Sequence, residues 1–144
     1  MTFQKIEALD RRKAAIHECG HAFVAWHYEM YARPTIRRNC TENPSEEKTW
    51  IGTTRYDPSR LTPQRHRRLA IGGPLAELMD DPSVNEDELE YALEESFFYD
   101  EWSHSDYEGA QGWTRADFRA VSSILKRNWK ALLEEARLLM ECAA

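Results

Sequence analysis

Two histidines four residues apart, with a glutamate after the first, constrain this chain more than any other feature. His17-Glu18-Cys19-Gly20-His21 is an HExxH sequence. On an α-helix, residues i and i+4 lie one turn apart on the same face, so both imidazoles can reach one ion. The neighbours fit a helix: Ala15, Cys19, Ala22 and Trp26 follow i, i+4, i+7 and i+11, with Ile16, Gly20, Phe23 and His27 beside them. Neutral imidazole suits Zn²⁺. Glu18 sits where a carboxylate can reach a water on the metal without ligating it, the placement of a general base.

A catalytic zinc needs a third protein ligand and an open fourth position. His27 has the spacing of a third histidine, but Val24 stands where the chain would need a glycine to leave the helix. A β-branched residue resists positive φ, and on a continuous helix residue 27 is rotated roughly 80° from residue 17. The other candidates are Glu77, His104 and Asp106, and spacing alone does not choose among them.

The rest of the chain reads as one domain spanning residues 1–144. Residues 5–31 are expected to form one or two helices, ended by Arg33-Pro34. Residues 35–38 read as a short strand, 39–49 as a polar loop, and Trp50–Tyr56 as a second strand stopped by Asp57-Pro58. Thr62 caps a helix that starts at Pro63 and runs to about Met79, interrupted or split at Gly72-Gly73-Pro74. Residues 86–99 read as helix, 102–105 as loop and 114–140 as one helix.

Charge is unevenly spread. Residues 1–68 carry 13 basic and 8 acidic side chains, whereas 69–114 carry 13 acidic and no lysine or arginine. Faces that attract one another across the fold are the expectation. A net charge of −6 argues against nucleic acid as a partner, and the basic cluster Arg65-His66-Arg67-Arg68 reads as a solvated helix face. The three cysteines, Cys19, Cys40 and Cys142, are odd in number and scattered, which fits a reducing compartment. The N-terminus has no secretory h-region, and no apolar run approaches the roughly 20 residues of a membrane span. The expectation is a cytoplasmic protein without membrane partners.

Four segments, in order, resemble the zinc peptidase domain of the FtsH-type ATP-dependent proteases. Residues 14–26 resemble that family's zinc helix. Pro34-Thr35-Ile36-Arg37-Arg38 and Trp50-Ile51-Gly52-Thr53-Thr54 resemble the strand pair beside its cleft. Residues 69–77, with Gly72-Gly73 and Ala76-Glu77, resemble its GG-x-x-AE helix. Residues 105–110 resemble the segment that supplies its aspartate ligand at a helix start. The resemblance implies His17, His21 and Asp106 as zinc ligands, Glu18 as base, and Glu77 as a residue that orients a ligand histidine. The chain departs from the family in lacking a Walker A motif and an ATPase domain. It also carries an insertion at about 39–49, and Gln111-Gly112-Trp113 interrupts the helix after the aspartate.

The expected fold is therefore α+β, mostly α, with a two- or three-stranded sheet beside the HExxH helix. The expected function is zinc-dependent hydrolysis of peptides or unfolded proteins, without ATP hydrolysis by the chain itself. The strand Trp50–Tyr56 could hold an extended peptide by edge pairing, and the same edge could support a homo-oligomer; a separate unfoldase is the other expected partner. The rival reading is a non-catalytic zinc-binding interaction module derived from a peptidase.

Overall fold

The computed structural model describes residues 2–40 and 47–143. The elements run α1 (Phe3–His27), β1 (Ala32–Arg38), β2 (Trp50–Tyr56), α2 (Pro63–Asp80), α3 (Leu89–Phe98), α4 (His104–Gly109), α5 (Arg115–Arg127) and α6 (Trp129–Cys142). Short 3₁₀ turns lie at Pro58–Arg60 and Glu86–Glu88. The architecture is α+β and mostly α, with one antiparallel two-stranded sheet. Part of the expected polar loop, residues 41–46, lies outside the described residues.

Helices α1 and α2 form the spine. Thr2 opens α1, its side chain accepting from the Lys5 amide, and Thr62 opens α2 in the same way through Arg65, with Pro63 in the first turn. The helices meet at glycines. A Cβ on Gly20 would lie 2.2 Å from the Gly72 carbonyl oxygen, so neither position tolerates a side chain at this separation. α2 is not split at Gly72-Gly73-Pro74, as the sequence suggests; it continues to Asp80 with Pro74 inside. Residues 69–76 are all buried, and packing on both sides outweighs the loss of one backbone donor at the proline.

The core gathers Ile16 and Cys19 of α1, Ile71 and Leu75 of α2, Leu93 of α3, Val121 and Leu125 of α5, and Leu132 of α6. The sheet lies on α1, anchored by Trp50, whose buried ring is sandwiched between the Arg11 and Arg38 guanidinium groups at 4.9 and 5.0 Å. Residues 114–140 do not form a single helix. Asn128 ends α5, its side-chain amide donating to the Ile124 carbonyl at 2.7 Å, and α6 starts afresh at Trp129. Residues 104 and 105, expected in a loop, open α4.

Ion pairs do cross from the acidic segment to both of its neighbours: Asp80 pairs with Arg12 of the basic segment, and Glu90 and Glu86 pair with Arg115 and Lys126 of the residues after 114. Arg67 and Arg68, read as solvated, both bond the buried Asp117, so α5 is tied to α2. Among the described residues no helix is long and apolar enough to cross a membrane.

Candidate metal centre

His17 and His21 lie on the face of α1 that looks across the Gly20–Gly72 crossing at α2. Each ring is held from behind through Nδ1. His17 Nδ1 donates to Glu77 Oε2 at 2.7 Å, and His21 Nδ1 donates to the Leu69 carbonyl at 2.7 Å. Both partners come from α2, four residues to either side of Gly73. With Nδ1 committed as donor, a ring that gives up its second proton to a metal keeps its lone pair at Nε2, the tautomer that ligation needs.

Asp106 completes the group from α4. Ser103 caps that helix, its hydroxyl accepting from the Asp106 amide at 3.3 Å, which fixes Asp106 in the first turn. Asp106 Oδ2 lies 2.8 Å from His17 Nε2 and 3.3 Å from His21 Nε2, and the two Nε2 atoms are 3.1 Å apart. Ligand atoms on a tetrahedral zinc with bonds of about 2.0–2.1 Å are separated by about 3.3 Å. The three side chains thus have the donor types and spacing to hold a metal ion, and they form the metal-capable cluster among the described residues. Gly73 leaves room for them: a Cβ there would lie 2.5 Å from His21 Nε2 and 2.6 Å from His17 Nε2.

The electrostatics favour a cation at this point. Burial alone would depress the His17 imidazole, but hydrogen bonds to Asp106 and Glu77 outweigh it and push it up to about 10. Burial opposes ionisation of Asp106, yet hydrogen bonds from His17 and His21 hold it well below the usual carboxylate range. Glu77 is lowered in the same way, by His17 against burial.

Glu18 is buried and faces the sheet. Its Oε1 accepts from the Thr54 hydroxyl at 2.8 Å, and Gly52 makes space for it, since a Cβ there would lie 2.4 Å from its carboxylate. His17, Glu18, His21, Glu77 and Asp106 line one cleft of about 460 Å³, and residues 50–54 and Tyr56 of β2 form its wall. The pairing places β2 with one edge on β1 and, among the described residues, the other unpaired. The Asn39 amide donates to the Thr49 carbonyl, and the Thr35 hydroxyl donates to the Thr53 carbonyl. Odd-numbered residues of β2 therefore turn their backbone groups toward β1. Trp50, Gly52, Thr54 and Tyr56 turn theirs to the open edge.

Two other sequence candidates lie apart from this group. His27 is exposed in the last turn of α1, its ring edge against Tyr28; the helix passes through Val24 unbroken, and the first positive φ comes at Glu29. His104 is exposed at the start of α4 and pairs with Glu108. Cys19 is fully buried, its thiol pushed up to about 12 by burial and the nearby carboxylates of Glu135 and Glu18, so it is an inert packing residue.

Sequence reasoning missed four contributors: Gly52, Thr54, the Leu69 carbonyl and the way Gly73 backs both rings. A glycine inside a β-branched run is the signal for the first, because it marks close approach by another group. No family model matches the chain, and no curated protein matches its sequence.

Proposed function

We propose that this chain is a zinc-dependent peptidase acting on extended polypeptide, with Zn²⁺ held by His17, His21 and Asp106. The observation that carries the reading is the convergence of His17 Nε2, His21 Nε2 and Asp106 Oδ2 within 2.8–3.3 Å, while each Nδ1 is spent elsewhere. Zinc at such a centre supplies Lewis-acid polarisation of a carbonyl and a more acidic water. The chain's own residues supply the rest. Glu18 takes a proton from the attacking water and delivers it to the departing amine. Thr54 holds the Glu18 carboxylate on the β2 side of the cleft. Glu77 and the Leu69 carbonyl keep both imidazoles in the required tautomer. The outward backbone groups of Gly52 and Thr54 offer a peptide in strand conformation main-chain partners beside Glu18. Strand addition needs a free backbone, so the substrate is a peptide or a locally unfolded protein rather than a compact domain.

The resemblance to FtsH-type peptidase domains, carried by the motifs quoted above, supports the same reading. The test is Glu18→Gln, which keeps size and the Thr54 contact but cannot accept the proton. Casein or peptide-library cleavage should fall by about 10²–10⁴-fold with zinc content and melting temperature little changed. A zinc-loaded wild type inert toward every peptide would favour a zinc-stabilised interaction module instead.

A further inference from the structure

The acidic segment leaves a surface that no cation covers among the described residues. Tyr91, Phe98 and Tyr99 stand together on and just after α3, at 67%, 79% and 67% exposure. They border a shallow groove of about 610 Å³, floored by Tyr107 and Trp113 and rimmed by Glu94 and Glu95. Phe97 stacks on Tyr107 at 4.6 Å, which adds a further ring to the groove. The ion pairs of this region go to Glu86 and Glu90. Glu95 accepts from the Tyr91 hydroxyl, and neither Glu94 nor Glu95 has a cationic partner among the described residues. Contiguous exposed aromatics with a polar rim mark an interaction surface.

The sheet presents the opposite chemistry. Ala32 and Trp50 point inward, so Arg33, Thr35 and Arg37 of β1 and Ile51, Thr53 and Arg55 of β2 point outward. The register sets Arg33 directly opposite Arg55. Like charges in that position destabilise a strand pair. Among the described residues, Arg33, Arg37 and Arg55 have no carboxylate partner, whereas the inward Arg38 takes Glu7. Guanidinium groups stack on aromatic rings and bond carboxylates in pairs, which is what the α3 groove offers. The sheet packs on α1, whereas α3 packs on α2, so the two surfaces are carried by different helices of the spine.

We infer that the arginine face of one copy docks into the aromatic-acidic groove of a second copy, a head-to-tail contact that leaves the zinc cleft outside the interface. The contact is heterologous: each copy retains one free groove and one free arginine face, so assembly continues or closes into a ring. It uses the outer face of the sheet, not the β2 edge, and does not depend on the chemistry at His17.

Light scattering or sedimentation across protein concentration tests it. At low salt the mass of the wild type should rise with concentration above 16.9 kDa. In about 1 M salt, where the Debye length is about 3 Å, it should fall back. Arg33→Glu with Arg55→Glu, and separately Glu94→Arg with Glu95→Arg, should each weaken association at least about tenfold. Mixed, the first has the intact groove and the second the intact arginine face, and the two reversed surfaces also match in charge, so the variants should associate with each other in equal proportion although neither self-associates. Phe98→Ala, at an exposed site that the fold does not need, should also weaken association. A wild type that stays at the monomer mass throughout overturns the inference. So do variants that associate as well as the wild type, or a mixture that forms no complex.

Discussion

Gly73 shows how much of the candidate centre depends on one missing side chain. A methyl group there would lie within 2.6 Å of both Nε2 atoms, so Gly73→Ala should force the rings apart. Alanine is the better helix former by about 1 kcal/mol. Helix content should therefore hold while zinc affinity falls by about 100-fold or more, read by titration against a chromophoric chelator. Glu77→Gln, which weakens the bond behind His17, should cost about 10–100-fold in the same assay, and His27→Ala should change nothing. Of these residues, the histidine pair is legible in the sequence because helical periodicity alone brings positions 17 and 21 together. Asp106 is legible only through the resemblance: spacing leaves it one candidate among several, because it reaches the histidines through the packing of α4 on α2. A local sign does exist, Ser103 three residues before Asp106, the spacing of an N-cap and its first-turn acid. Gly73 reads in the sequence as a helix break, and only the position of α1 shows that it is a space for two rings.

Among the elements, the link between α2 and α5 carries a concentrated share of stability. Asp117 is about 1% exposed, accepts from Arg67 and Arg68 of α2, and closes the capping box that opens α5 with Thr114. Removing it leaves two guanidinium groups without their carboxylate and α5 without its cap. Asp117→Ala should destabilise by about 3 kcal/mol in urea unfolding. Burial opposes ionisation of Asp117, but hydrogen bonds from Arg68 and Arg67 outweigh it and hold its carboxyl below the usual range. A depressed folded value means that the stabilisation is full above the unfolded value of about 3.9 and drains away as pH falls through the folded one. The wild type should therefore lose stability from about pH 4 downward, and Asp117→Ala should flatten that limb. The elements that the sequence misplaced have separate causes. The apolar period runs on across Asn128, so one helix is read where a side chain bonding Ile124 makes two. α4 is too short to show any period. Strand β2, with alternating faces and Asp57-Pro58 after it, is bounded correctly at Trp50–Tyr56.

At the scale of the whole molecule, the candidate centre joins three parts of the fold: α1 gives the histidines, α2 their supports and α4 the carboxylate. An ion bound there ties these parts together and binds the native state alone, so it should stabilise by mass action. At free zinc about 100 times the dissociation constant, the gain is about 2.7 kcal/mol, a rise of about 8 °C in melting temperature for a chain of this size. Asp106→Ala should show almost none of it. The charge asymmetry also belongs to this scale: its cross-fold pairs use only part of the acidic segment, and α3 displays Glu94 and Glu95 from what is left. The most direct test of the account is the metal content of the protein after zinc loading and exhaustive desalting. The account predicts about one zinc per chain, lost in His17→Ala, His21→Ala and Asp106→Ala and kept in His27→Ala. A folded wild type that retains no metal, or an Asp106→Ala protein that retains as much as the wild type, would contradict it.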